Sequence, residues 1–135
     1  MSTRFDLPVV DGSTAEYWAA AREHRLLLTR CRECSAVIFY PRPFCPACHG
    51  DSVEWVQASG RATLYSYSIV RHNDLPPFDR KVPYVAAIVD LEEGPRMVSN
   101  LVGIQPDQVR IGMELEVEFE ELTEEITLPV FGVRK

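Results

Sequence analysis

In the second half of this chain the apolar positions recur every second residue. Across residues 61–71, Ala62, Leu64, Ser66, Ser68 and Val70 fall on one side, and Thr63, Tyr65, Tyr67 and Ile69 on the other, the period of an extended strand. Both sides carry bulk, which predicts a strand covered twice or bent into a barrel. Residues 84–91 read as a continuous strand, Glu92-Glu93-Gly94-Pro95 as a hairpin turn with solvated carboxylates, and residues 96–102 as the return strand. One helical turn is expected over residues 105–109, and Gly112 opens the next strand. There Leu115, Val117 and Phe119 alternate with Glu116, Glu118 and Glu120, apolar inward and acidic outward, and residues 127–133 close the set. Residues 72–83, with Pro76, Pro77 and Pro83, read as an ordered surface loop. Regularly spaced short strands predict a small barrel, and five of them suit an oligonucleotide/oligosaccharide-binding (OB) fold.

Upstream the period changes. Residues 1–12 form an extended lead-in, with Pro8 and Gly12 against regular structure, and Ser13-Thr14-Ala15-Glu16 has the spacing of a capping box. A helix follows to about Arg25, with Tyr17, Trp18, Ala20 and Ala21 near one apolar side. A helix of about 12 residues is marginal alone in water, so it must dock. Tyr17 and Trp18 either pack on the chain's own core or anchor a partner. Residues 26–29 and 37–40 then read as a hairpin pair, and residues 53–56 alternate in the β period. The expected architecture is mainly β: an N-terminal extension and helix over residues 1–30, a rubredoxin-like zinc ribbon over 31–52, and a five-stranded OB-fold barrel over 53–135.

The ribbon expectation rests on the only four cysteines, which form two Cys-x-x-Cys pairs, Cys31 with Cys34 and Cys45 with Cys48, ten residues apart. Each pair can offer two thiolates to one tetrahedral ion, and together they make a closed Cys₄ site for one structural zinc. Two disulfides are the competing reading, but no secretory signal is seen and reducing cytosol disfavours them. Iron in the same cage, as in a rubredoxin-like electron carrier, is equally compatible with the ligands. Arg30, Arg32 and Arg42 lie close in sequence and would offset the negative charge of four thiolates. His49 has no vacancy to fill.

Charge narrows the function. The 135 residues carry a net charge of −6. The first 60 residues hold six Lys and Arg against seven Asp and Glu, and the remainder holds eight against thirteen. An acidic C-terminal half is poorly suited to a phosphate backbone, which argues against the nucleic-acid module that zinc ribbons and OB folds form elsewhere. No apolar run approaches the ~18 residues of a membrane span, so the expectation is a soluble, cytoplasmic protein without membrane partners. No self-contained catalytic set is visible: the cysteines are committed to metal, and His24, His49 and His72 lie in separate segments.

The order of short motifs resembles the DUF35 family of zinc-ribbon OB-fold proteins. The matching pieces are Ala15-Glu16-Tyr17-Trp18, Leu26-Leu27-Leu28, the four-cysteine ribbon with Tyr40-Pro41-Arg42, Pro83-Tyr84-Val85, Glu93-Gly94-Pro95-Arg96, Ser99-Asn100-Leu101-Val102, Ile111-Gly112-Met113 and Leu128-Pro129. The resemblance implies a non-catalytic accessory or scaffold subunit in acyl-CoA metabolism. It would dock on a thiolase-like or hydratase-like enzyme and support that partner's acyl-CoA site. If coenzyme A is touched, Arg71, His72, Arg80 and Lys81, which bracket one irregular segment, are the candidate phosphate contacts. Tyr17, Trp18 and Phe78 are the candidate partner contacts.

Overall fold

A computed structural model describes residues 7–76 and 78–134. The first six residues of the expected lead-in, Pro77 of the proline-rich segment and Lys135 lie outside the described residues.

The one α-helix among the described residues, α1 (Ala15–Arg22), is shorter than the sequence pattern predicts and starts differently. The expected Ser13–Glu16 capping box does not form, because Asp11 takes Ser13 first. The Asp11 carboxylate accepts the Ser13 amide at 2.9 Å, the Ser13 hydroxyl at 2.7 Å and the Thr14 amide at 3.1 Å. This Asx turn leaves Thr14 as the N-cap. The helix stops at a Schellman motif: the Arg25 amide donates to the Ala20 carbonyl and the His24 amide to the Ala21 carbonyl, both at 2.9 Å. His24 takes the left-handed position, at φ 61°.

Three strands follow as a small antiparallel sheet: β1 (Leu27–Cys31) in the centre, flanked by β2 (Val37–Ile38) and β3 (Val53–Gln57). The hairpin pairing of residues 26–29 with 37–40 is therefore present, in shorter form. The pairing of Leu27 with Gln57 through Cys31 with Val53 ties β3 to β1 along its whole length. The sheet thus extends beyond residues 31–52 on both sides.

The remaining strands, β4 (Arg61–Val70), β5 (Tyr84–Leu91), β6 (Arg96–Leu101), β7 (Glu114–Glu121) and β8 (Thr127–Val133), close a barrel in the order β4-β5-β6-β8-β7. All its pairings are antiparallel except β6 with β8. This is the five-stranded OB-like barrel that the spacing of short strands predicts. Short 3₁₀ turns occupy Phe78–Arg80 and Pro106–Gln108.

The strict alternation expected along β4 is broken by a β-bulge between Leu64 and Ser66. Ahead of it Ala62 and Leu64 are buried; beyond it Ile69, of opposite parity, packs on the core. An extra residue turns the rest of the strand over, which bends it around the barrel. The Glu92-Glu93 turn also differs from its solvated expectation. Glu93 Oε2 accepts the Ser59 amide and Glu92 Oε2 the Ser59 hydroxyl, both at 2.8 Å, pinning this hairpin to the turn before β4.

One core joins all three parts. Leu64, Val89, Leu115 and Phe131 are buried inside the barrel, and Tyr17 from α1, Leu26 just ahead of β1 and Leu28 within it continue it outward. A second, much smaller cluster of Cys31, Ile38 and Cys45 supports the far end of the ribbon.

Candidate functional site

Two turns of like backbone shape build the thiol cluster. Each Cys-x-x-Cys turn is followed by a residue at positive φ, Ser35 at 66° and His49 at 64°. The Ser35 amide donates to the Cys31 carbonyl at 2.9 Å, and the His49 amide to the Cys45 carbonyl at 2.8 Å. The four sulfurs converge within 4.8 Å of one another, with Cys31 to Cys48 and Cys34 to Cys45 both at 3.5 Å, and all four thiols are free. Zinc–sulfur bonds of about 2.3 Å in a tetrahedron require sulfurs about 3.8 Å apart. The donor set therefore fits a structural metal ion.

The thiols hold their protons unequally. The Cys34 amide, 3.5 Å from Cys31 Sγ, draws the Cys31 thiol down to about 7. The Gly50 amide favours the Cys48 thiolate, but Cys31, desolvation and then Cys34 and Cys45 together outweigh it and push Cys48 up to about 12. Such division is expected where each new thiolate repels the next. Two of the arginines expected to offset that charge are engaged elsewhere. Arg30 and Arg32 both pair with Glu54, each at 3.2 Å. Arg42 is exposed. Glu33, inside the first knuckle, lies against Gly50 of the second, where a Cβ would collide with its carboxylate.

A second feature lies between ribbon and barrel. An apolar cleft of about 460 Å³ brings Trp18 of α1 and Phe78 of the proline loop, 60 residues apart in sequence, onto one surface. Tyr40, Tyr84, Val98 and Leu128 are further parts of its wall, and Ser99 and Asn100 supply polar groups. Asn100 Nδ2 is already spent on the Val85 carbonyl at 3.1 Å, and Ser99 Oγ on the Pro129 carbonyl at 3.1 Å.

Tyr17, offered by the sequence as a partner contact, is instead a core residue at 4% exposure. Its ring stands edge-on to Trp18 at 4.9 Å and lies 5.9 Å from Phe39, so its apolar area is already covered. Trp18 and Phe78 remain partly exposed in the cleft. Periodicity reading passed over Tyr40, Tyr84 and Val98. For Val98 a signal was present: Met97 and Leu101 face inward on β6, so an apolar Val98 at 62% exposure occupies an outward position.

The four candidate phosphate contacts are all exposed, on the connection between β4 and β5. His72 Nε2 faces Asp74 at 3.4 Å, and the Lys81 ammonium lies over the Phe78 ring at 5.7 Å. Arg71 and Arg80 stand at the two ends of the same connection. His24 stacks on Phe119, their ring centres 5.1 Å apart. Each of the three histidines has different surroundings.

Comparison with known proteins matches the chain along most of its length. The ChsH2 rubredoxin-like zinc-ribbon domain matches residues 18–54, and the ChsH2 C-terminal OB-fold domain matches residues 55–120. A probable enoyl-CoA hydratase alpha subunit of Thermomonospora curvata is 40% identical over 124 residues, covering 92% of this chain. The chain spans only 38% of that protein's length. A DUF35 domain-containing scaffold protein of Methanocaldococcus jannaschii is 35% identical, covering 85% of this chain and 82% of the relative. The benzoylsuccinyl-CoA thiolase subunit BbsA of Thauera aromatica is 34% identical, covering 65% of this chain and 58% of BbsA. Among solved structures, one described as an Ltp2-ChsH2(DUF35) aldolase superposes with a TM-score of 0.84 at 39% identity, covering 94% of this chain and 98% of the other.

Proposed function

The chain belongs to the DUF35 family of zinc-ribbon and OB-fold proteins, and we propose that it is a non-catalytic accessory subunit of an acyl-CoA enzyme with a thiolase-like or hydratase-like fold. The observation that carries this reading is the cleft, where Trp18 and Phe78 meet on a partly exposed apolar surface. A surface of that kind is suited to docking. Relatives named as a scaffold protein, a thiolase subunit and a hydratase subunit support it from a second direction.

In this reading the ribbon is a structural part. Cys31, Cys34, Cys45 and Cys48 hold one zinc ion, which supplies cross-linking between the two knuckles and no turnover chemistry. The reacting groups belong to the partner. Arg71, His72, Arg80 and Lys81 lend positive charge to the phosphates of a coenzyme A shared with it.

Co-expression with the thiolase-like enzyme encoded nearest its gene tests the proposal. The expected result is a complex that survives size-exclusion chromatography, and a partner whose acyl-CoA turnover falls when this chain is withheld. A partner that is soluble, equally active alone and never co-elutes with this chain would refute it. Elemental analysis is expected to give one zinc per chain; a coloured, iron-loaded protein would favour an electron carrier.

A further inference from the structure

The apolar cleft continues past its own rim. Through Ala86 and Val98 it runs onto the outer face of β4, β5 and β6, where Ser66, Ser68 and Ile88 make a shallow hollow. Through Phe78, Tyr84 and Asn100 it runs into another hollow, bordered by Lys81 and Glu120. Its Leu128 and Pro129 wall is paired in register with Glu120 and Phe119 of β7. One long border of the apolar surface is therefore an acidic strand. Residues 114–125 hold seven glutamates and no Lys or Arg. Glu118, Glu120 and Glu121 are exposed on β7, and Glu124 and Glu125 on the turn to β8.

An apolar trough beside a row of carboxylates selects its occupant by charge. We propose that this surface grips a protein segment that presents an apolar or aromatic side chain flanked by lysines or arginines. The apolar group enters between Trp18, Phe78 and Val98, and the basic flank lies along β7. For the identity of the partner this rests on the accessory-subunit reading; it adds the face used and the charge pattern required. A second copy of this chain is a poor occupant, because it carries the same acidic strand and the same net charge of −6. An anionic lipid surface is repelled for the same reason. A small apolar ligand would use the trough but gain nothing from the carboxylates.

Two measurements test this with the full chain. The first uses fluorescent peptides with a central phenylalanine and either lysines or glutamates on both sides. The lysine-flanked peptide is expected to bind at least about tenfold more tightly, and to weaken as salt rises toward about 0.5 M. Val98→Asp is expected to abolish that binding. Ile111→Asp, at a site equally exposed at 62% and outside the cleft, is expected to leave it unchanged. The second measures affinity for the thiolase-like enzyme with the same two variants and with Glu118→Lys/Glu120→Lys/Glu121→Lys, whose folding is checked by circular dichroism. Val98→Asp and the triple variant are each expected to cost about tenfold or more. Equal binding of the two peptides, or undiminished enzyme binding by Val98→Asp, overturns the docking face. Peptide discrimination that persists while the thiolase-like enzyme never binds supports the docking face and removes the thiolase partner.

Discussion

At residue scale, Tyr17 shows how far a sequence candidate can be redirected by burial. Its phenol is pushed well above the usual tyrosine range, first by desolvation and then by Tyr40. The folded state therefore holds the proton more tightly than the unfolded chain does. The stabilisation this gives is fully present below about pH 10, the unfolded value, and is lost as pH rises toward the folded one. Ultraviolet titration of the five tyrosines is expected to show Tyr17 ionising only as the protein unfolds; reversible titration with the others would contradict its burial. Gly60 is a second such residue. It sits at φ +87°, and a methyl group there would lie 2.7 Å from Val117 Cγ1, while its carbonyl accepts the Val117 amide at 2.7 Å. Gly60→Ala is expected to destabilise the protein by about 1–3 kcal/mol, read as a lower denaturant midpoint.

Among the elements, the ribbon is anchored unequally. Leu26 and Leu28 tie its near end into the main core, whereas the thiol end rests on a small cluster of Cys31, Ile38 and Cys45 with Ala36 packed against it. So small a cluster is a weak offset to the ordering of two turns, and a metal ion held by the four thiols would supply the remainder. Chelation, or Cys45→Ser, is expected to release residues 31–52 while leaving the barrel folded. Hydrogen exchange checks this: amides of the knuckles are expected to lose protection while those of β5 and β8 keep theirs. Simultaneous loss throughout would mean that the barrel also depends on the metal.

For the whole molecule, the distribution of charge matters more than its sum. The face of β5 and β6, which OB folds elsewhere turn to nucleic acid, here carries Ala86, Ile88 and Val98, and beyond β8 the barrel continues into acidic β7. No salt-sensitive complex with a labelled single-stranded oligonucleotide is expected at physiological salt, by fluorescence anisotropy. A micromolar complex would reverse that reading. No helix among the described residues is long and apolar enough to cross a membrane.

The sequence by itself determined whatever depends on local spacing. Cys-x-x-Cys turns bring their sulfurs together across only three peptide bonds, and alternation assigns inward and outward faces strand by strand. Thus the thiol cluster, β5, β7 and β8 were all legible, as was the five-stranded barrel. Tertiary structure decided what depends on competition between distant groups. Asp11 outcompeted Glu16 for Ser13, Glu54 captured Arg30 and Arg32, and Ser59 drew in Glu92 and Glu93. A bulge at one residue reversed the second half of β4. The cleft belongs to the same class: Trp18, Phe78 and Val98 share a wall only because a docked helix, a loop and a barrel strand meet there. No periodicity within a single segment encodes a surface assembled from three.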